Sequence, residues 1–269
     1  MKLQILTDNN TFIDQYYLGE PGASYYIEIG GLKILFDTGY SDVFLSNAAS
    51  MGIDLSLLTH IVISHGHNDH TGGLKYLARS MDLAQVQLAA HPHCFNSKEE
   101  GGESIGAPFT EEEIRRLTRY TPSCAPLWLS PDCVFLGQIP EFHDFDARTA
   151  IGRQKADGVW QEDLLPDDSA LVCRTGQGLF IVTGCSHSGI CNILEYAVQV
   201  CGERRIAGVL GGFHLFDCGQ RLDQTINYLK SLDIAVLYPC HCVSLKVKAK
   251  MLQELPVEEA GVGLSIEIP

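Results

Sequence analysis

The sequence predicts an α/β protein built as a four-layer αβ/βα sandwich. Each half of the chain contains several short runs of β-branched and apolar residues, with helical segments after the strands that end in histidine-bearing motifs. Glycine-rich turns at Gly30-Gly31 and at Gly176-Gln177-Gly178 predict a hairpin in each half. These hairpins favour the sandwich over an ordinary doubly wound sheet. We expect a functional site at one sheet edge.

Size and composition favour one domain spanning residues 1–269. The chain is 45% hydrophobic, which is enough for a sizeable core. Met1 to Asp8 has the pattern of a strand that runs into a turn rather than of a basic, apolar leader, and no apolar run approaches the length of a membrane span. We therefore expect a cytoplasmic protein with no membrane partner.

The charge balance disfavours nucleic acid as a partner. There are 33 acidic residues against 19 basic ones, for a formal charge of −14. Binding to phosphate backbones needs a basic surface. We expect a small-molecule substrate instead.

The secondary-structure pattern places elements along most of the chain. Strands are predicted at 2–6, 24–29, 32–36, 61–64, 85–90, 170–174, 179–183, 206–210, 234–237 and 262–268, and helices at 42–51, 74–81, 192–201 and 223–232. The segment 95–164 is weaker in pattern and rich in proline and glycine. We interpret it as a cap over the site that controls substrate access, with Phe142, His143, Phe145 and Trp160 as candidate contacts.

The most informative run, Ser64 to His70, carries three histidines and one aspartate between a buried strand and a helix. His65 and His67 are two residues apart and can reach one ion, whereas Asp69 and His70 lie past a bend and can reach a second. This ligand set suits zinc, iron or manganese. The alternative is a solvated histidine-rich loop.

This run has the pattern H-x-H-x-D-H, and with it the chain resembles the metallo-β-lactamase superfamily. The later motifs 183–190, 211–215 and 239–242 resemble the branch that contains an archaeal dihydropterin-condensing synthase. The resemblance implies a sandwich of the metallo-β-lactamase type and two divalent metal ions, with zinc favoured. It also adds His187 to the site of His65 and His67, and His241 to that of Asp69 and His70.

Two positions depart from the superfamily pattern. Cys185 stands where many members have a metal-bridging aspartate, so either its thiolate takes part or a water or hydroxide alone bridges. Asp167-Asp168 stands where a histidine is common. By the same resemblance, Asp37 is expected either to orient a histidine ligand or to cap a turn.

The resemblance implies a metal-dependent hydrolase or a pterin-condensing transferase acting on a (phospho)ester or pterin-type substrate. Asp69 would orient the nucleophile, and His214 or His91 would donate a proton to the leaving group. His91 is included because it ends a predicted parallel strand beside the metal loop. Two alternatives are a redox or metal-sensing module, suggested by Cys185, Cys240 and Cys242, and a diiron oxygen-reducing centre.

Overall fold

The computed structural model describes residues 1–232 and 234–269. Its strands, in chain order, are β1 (Lys2–Thr7), β2 (Ser24–Ile29), β3 (Leu32–Phe36), β4 (His60–Val62), β5 (Gln87–Ala90), β6 (Lys98–Glu100), β7 (Glu103–Ser104), β8 (Arg119–Pro122), β9 (Leu127–Ser130), β10 (Cys133–Phe135), β11 (Arg153–Ala156), β12 (Val159–Glu162), β13 (Ala170–Thr175), β14 (Gly178–Thr183), β15 (Ile206–Gly211), β16 (Leu237–Pro239) and β17 (Ser265–Glu267). The α-helices are α1 (Val43–Ser50), α2 (Asn68–Thr71), α3 (Leu74–Ser80), α4 (Glu111–Leu117), α5 (Ile190–Cys201), α6 (Gln220–Ser231) and α7 (Leu245–Leu252).

The first sheet has the order β17-β1-β2-β3-β4-β5-β8. Its first four strands pair antiparallel, and β3, β4, β5 and β8 pair parallel. The predicted hairpin joins β2 to β3 through Gly30 and Gly31, whose φ angles of 55° and 82° suit a tight turn that only glycine adopts easily. The closing strand predicted near the end of the chain is β17, which pairs with β1.

The second sheet has the order β16-β15-β14-β13-β10-β9. Strands β13 and β14 form the other predicted hairpin, and β14, β15 and β16 run parallel. Parallel strands end at the same edge, so the loops after β14, β15 and β16 all emerge on one side of the sheet. Those loops carry the later histidine motifs.

The buried apolar residues divide into three clusters that define four layers. One cluster fills the space between the two sheets, with Leu3, Tyr25 and Phe36 facing Phe180 and Leu210. A second packs α1, α3 and α4 on the outside of the first sheet, and a third packs α5, α6 and α7 on the outside of the second. The predicted αβ/βα sandwich is therefore confirmed.

The segment 95–164 does not form one separate layer. Strands β6, β7, β11 and β12 form a small sheet of their own, whereas β8 extends the first sheet and β9 and β10 extend the second. The pattern of short strands did not reveal this, because each is too brief for its pairing partner to be read locally. Control of substrate access by this segment stays a prediction.

Two local predictions differ from the structure near the end of the second half. The strand expected at 234–237 is observed as β16, Leu237–Pro239, and Asp233, within the helix-to-strand connection, lies outside the described residues. Helix α7 was not predicted; its N-cap is Ser244, whose side chain accepts a hydrogen bond from the Val247 amide. Across residues 1–232 and 234–269, no helix combines the length and apolar character that crossing a bilayer requires.

Candidate metal centre

The histidine-rich run forms the connection between β4 and α2. His67 is extended, with φ −69° and ψ 150°, and the helical turn begins at the next residue. The extended part therefore points His65 and His67 to one side, and the turn brings Asp69 and His70 back toward them. The loops after β14, β15 and β16 of the second sheet reach the same end of the sandwich and carry His187, His214 and His241.

The first donor group consists of His65, His67 and His187. The ring centroids of His65 lie 4.7 Å from those of both other histidines, and His67 and His187 are 5.1 Å apart. The Nε2 atoms of His65 and His187 are 3.2 Å apart. The structure therefore brings together the three side chains that we predicted for one metal site.

The second donor group consists of Asp69, His70 and His241. The Asp69 Oδ2 atom lies 3.6 Å from His70 Nε2 and 3.3 Å from His241 Nε2. Cys185 Sγ is 3.1 Å from His70 Nε2. The Cys185 sulfur lies within 4.8 Å of the donor atoms of this group. It lies within the same distance of those of His65 and His187, so the thiol stands between the two groups.

Asp37 orients histidines of both donor groups, which matches one of the two roles expected for it. Its Oδ2 accepts hydrogen bonds at 2.7 Å from His70 Nδ1 and from the Ser64 hydroxyl. The Ser64 oxygen lies 3.0 Å from His65 Nδ1. Since the hydroxyl proton is donated to Asp37, this network assigns the His65 proton to Nδ1. In both His65 and His70 the Nε2 atom is left to face the other donors.

Asp8 and Asn9 hold His241, a role that sequence analysis missed. The Asp8 carboxylate accepts a hydrogen bond from the His241 backbone amide at 2.7 Å, and Asn9 Oδ1 lies 2.9 Å from His241 Nδ1. Both residues directly follow β1, whose end reaches the same edge of the molecule. Two polar residues at the end of a buried strand were the only local signal.

Burial and neighbouring charges shift the pKa values of the donors in opposite directions. Burial lowers the pKa of His67 to about 4 and also depresses the pKa values of His65 and His187. Burial alone would lower the pKa of His70, but Asp69 and Asp37 outweigh it and raise that pKa to about 9. For Asp69, burial opposes ionisation, yet His70 and His241 keep its pKa below the usual value.

The donor atoms fit bound cations. The buried Nε2 of His67 has no hydrogen-bond partner among the described residues, which is costly for a polar atom that is removed from water. His65 directs an unprotonated Nε2 toward His187 Nε2, 3.2 Å away, so its lone pair is available to a cation held between the two rings. The chemistry of these groups and their spacing indicate divalent metal binding.

Cys185 has a second thiol beside it. The Cys242 sulfur lies 3.5 Å from the Cys185 carbonyl oxygen and contributes to the lining of the same cleft. Burial raises the pKa of Cys185, and Cys242 raises it further. Burial alone would raise the pKa of Cys242, but Cys185 and His241 outweigh it and lower that pKa to about 7. Gly212 permits this approach, because a Cβ there would lie 2.4 Å from the Cys242 sulfur.

The donor groups form the floor of an open cleft of about 520 Å³, a size typical of small-molecule sites. Asp69, His187 and His241 line it, as does His214, whose ring centroid is 4.4 Å from that of His187. Its walls are the side chains of Pro21, Tyr40, Glu100, Ile105, Ile151 and Phe216.

His91 does not line this cleft. It is buried, its Nδ1 accepts a hydrogen bond from the His93 amide, and its Nε2 lies 3.4 Å from Cys124 Sγ. The parallel pairing of β4 with β5 is as predicted, but the chain enters a 3-10 helix directly after His91, and the ring nitrogens contact His93 and Cys124 rather than the donors. The structure therefore gives His91 no route to a substrate in the cleft.

The cap residues predicted as substrate contacts also lie elsewhere. Phe142 packs against Tyr196, and His143 packs against Tyr228, both on the helices outside the second sheet. Trp160 lies beside Arg153 in the small sheet. Glu100, Ile105 and Ile151 are the residues of that segment that line the cleft.

Asp167 and Asp168 support the metal loops from behind. Asp167 Oδ2 accepts a hydrogen bond from the Gly66 amide at 2.8 Å, and Asp168 Oδ2 accepts from the Ser188 amide at 2.9 Å. Each amide is adjacent to a histidine of the first donor group. The two carboxylates therefore hold backbone, and neither belongs to the donor clusters.

Comparison with known proteins agrees with the fold. Residues 18–102 match the family model of the metallo-beta-lactamase superfamily. The chain is 31% identical to an uncharacterised protein of Methanocaldococcus jannaschii, over 93% of this chain and 94% of that protein. It is 30% identical to 7,8-dihydropterin-6-methyl-4-(beta-D-ribofuranosyl)-aminobenzene-5'-phosphate synthase of the same organism, over 94% of this chain and 91% of the synthase.

A solved structure described as a metal-dependent hydrolase of the beta-lactamase superfamily superposes with a TM-score of 0.84 and 29% identity, covering 100% of this chain and 99% of the other. Full-length similarity of this kind, together with the H-x-H-x-D-H run at the sheet edge, settles the family. The chain belongs to the metallo-β-lactamase superfamily.

Proposed function

We propose that this protein is an enzyme with a dinuclear metal centre that acts on a small-molecule (phospho)ester or pterin-type substrate, by hydrolysis or by group transfer. The observation that carries the proposal is the pair of donor groups on either side of Cys185, at the floor of a cleft large enough for a small molecule. The formal charge of −14 supports a small molecule rather than nucleic acid as the substrate.

We assign one ion to His65, His67 and His187, and the other to Asp69, His70 and His241, with Cys185 available to both. Imidazole, carboxylate and thiolate together favour zinc, and iron or manganese would suit the same nitrogen and oxygen donors. When bound, such ions polarise a phosphoryl or carbonyl oxygen and lower the pKa of a water molecule to about 7.

The chain's own residues supply the remaining chemistry. The Asp69 side chain is 30% exposed toward the cleft, so its carboxylate can accept a hydrogen bond from a nucleophile and orient it. Burial lowers the pKa of His214 to about 4, so this histidine is neutral at pH 7. It can therefore offer a hydrogen bond from a ring N–H to the leaving group, rather than a full positive charge.

The walls of the cleft support a substrate with a planar, largely apolar body. Tyr40 and Phe216 are aromatic, and Ile105 and Ile151 add aliphatic surface. A pterin ring has this shape, and the relative whose name describes a dihydropterin product is similar along nearly the whole chain. We therefore favour a pterin-type substrate over other phosphoesters, with the arylamine as the second reactant if the reaction is a transfer.

The test uses purified, zinc-loaded protein with a phosphate ester, a lactone and a dihydropterin pyrophosphate, each with and without an arylamine. Pyrophosphate release only when the arylamine is present would support the condensing transferase, whereas turnover of a simple ester without amine would support the hydrolase. The His65→Ala variant should lose turnover and the metal of the first donor group together. Absence of turnover on every substrate by fully loaded protein would refute the proposal.

A redox or metal-sensing module is the second candidate, because two thiols, Cys185 and Cys242, meet at the donor groups. The Cys242→Ser variant separates the two functions, since Cys242 belongs to neither donor group. An enzyme should retain turnover in this variant, whereas a sensor that depends on the thiol pair should lose its response to an oxidant such as hydrogen peroxide.

A further inference from the structure

A buried cluster of three charged side chains lies behind the histidine-rich run and takes no part in the proposed chemistry. Lys98 Nζ contacts Asp163 Oδ2 at 2.6 Å and Asp167 Oδ1 at 3.0 Å, and all three side chains are 0% exposed. Two carboxylates and one ammonium leave the cluster with a formal charge of −1. Burial alone would lower the pKa of Lys98, but Asp167 and Asp163 outweigh it and raise that pKa, so the lysine is charged.

Stability does not explain such a cluster. Removing charges from water is expensive, and a buried ion pair is often no more stabilising than apolar side chains of the same size. A geometric role explains it better, because the cluster connects to the run that carries the first donors. The second oxygen of Asp167 accepts the hydrogen bond of the Gly66 amide at 2.8 Å, and Gly66 is the residue between His65 and His67.

The backbone around Gly66 is closely packed, so a displacement of the Gly66 amide is passed on to the two histidines beside it. A Cβ at Gly66 would lie 2.0 Å from the carbonyl oxygen of Cys94, so the segment is packed directly against the chain that leads into β6. Lys98 lies on β6, and its carbonyl accepts a hydrogen bond from Ile105 at 3.1 Å. Ile105 in turn accepts one from the Asn68 amide at 2.8 Å, just after His67.

We infer that the Lys98–Asp163–Asp167 cluster is a positioning device for the first donor group. Lys98 fixes the Asp167 carboxylate from one side, and Asp167 fixes the Gly66 amide on the other. The spacing between His65 and His67, and so the zinc affinity of that group, is set by this chain of contacts. The inference rests on the proposed metal binding and concerns residues that touch neither metal nor substrate.

The two aspartates provide a matched pair of variants. Asp167→Asn and Asp163→Asn each remove one negative charge from the cluster and each leave Lys98 paired with the other carboxylate. Only Asp167→Asn changes the group that accepts the Gly66 hydrogen bond. Zinc affinity of each donor group is measured on full-length, metal-free protein by competition with a chromophoric chelator. His65→Ala and His241→Ala serve as references that identify the two binding steps.

We expect Asp167→Asn to weaken zinc binding at the first donor group about 10- to 100-fold, the usual effect of removing a group that orients metal ligands, with the second group little changed. Asp163→Asn should bind zinc nearly as the natural protein does. Equal losses in the two variants would show that the charge of the cluster matters rather than its contact with Gly66, and would overturn the inference. Unchanged affinity in both would overturn it as well.

Should Asp167→Asn fail to fold, the double variant Lys98→Met with Asp163→Asn takes its place. It keeps the formal charge of −1 and the Asp167 carboxylate but removes the lysine that fixes it. Weaker zinc binding at the first group supports the inference, and natural affinity overturns it. Because no substrate is involved, natural protein that binds two zinc ions without turnover would refute the proposed reaction alone.

Discussion

Replacing Asp37 with asparagine should weaken both metal sites, although the residue belongs to neither donor group. Its Oδ1 accepts a hydrogen bond from the Ser64 amide, and its Oδ2 accepts from the Ser64 hydroxyl and from His70 Nδ1, each at 2.7 Å. An asparagine has one acceptor oxygen and one NH₂ group. Whichever way the amide is turned, its NH₂ faces a donor.

In neutral His70 the one remaining proton is held on Nδ1 by Asp37; without that acceptor it can lie on Nε2, the atom that faces Asp69 and Cys185. A bound metal would then have to displace that proton. Loss of an orienting carboxylate typically costs about 10- to 100-fold in metal affinity, or about 1.4–2.7 kcal/mol. If the conflict is not relieved, one buried donor is left unsatisfied, which costs about 1–3 kcal/mol of folding stability.

The assay is zinc titration against a chelator for the natural protein and Asp37→Asn, with urea unfolding of both metal-free proteins. Asp54→Asn is the control, because Asp54 is exposed and accepts hydrogen bonds from Ser56 in a surface turn. The second donor group should lose more affinity than the first, since Asp37 contacts His70 directly and His65 only through Ser64. Unchanged affinity at both groups would refute the assigned proton positions.

Three further predictions follow from packing and from protonation. Gly66→Ala should cost about 1–3 kcal/mol of stability and weaken zinc binding at the first donor group, because its Cβ would meet the Cys94 carbonyl at 2.0 Å. Gly219→Ala is the control, since Gly219 has open space around it and a φ of −141°. Equal unfolding midpoints for the two variants would contradict the reasoning. Zinc affinity should rise between pH 7 and 9, since the metal must displace a proton from His70, whose pKa is about 9; pH-independent affinity in indicator titrations would argue against this. His67 has a folded pKa of about 4, below its unfolded value, so its contribution to folding stability is present above pH 6.5. About 3 kcal/mol of that stability is lost as the pH falls toward 4. His67→Gln should remove this part of the acid destabilisation of the metal-free protein, and identical stability–pH profiles for the two proteins would exclude it.

The local sequence was sufficient wherever neighbouring residues carry the information. The H-x-H-x-D-H run places four donor side chains on one short connection, and the strand before it and the helix after it follow from apolar periodicity. The glycine pairs that require positive φ mark the hairpins in the same local way. Fold class and the expected sheet edge could therefore be predicted without tertiary information.

Only the tertiary structure decided which distant side chains meet. His65 and His187 are 122 positions apart, and Asp8 reaches His241 across 233 positions. Resemblance to the family suggested the histidine partners, but no local pattern marked Asp8, Asn9 or Lys98.

His91 shows that a correct strand prediction does not fix where the side chain at its end lies. The strand before it pairs as predicted, yet the chain enters a 3-10 helix after it and the ring contacts His93 and Cys124 instead of lining the cleft. Strand order and the chain direction at the ends of strands depend on packing between both sheets, so they are set by the whole core. The sequence alone determined which chemical groups are available, and the fold determined which of them lie close enough to act together.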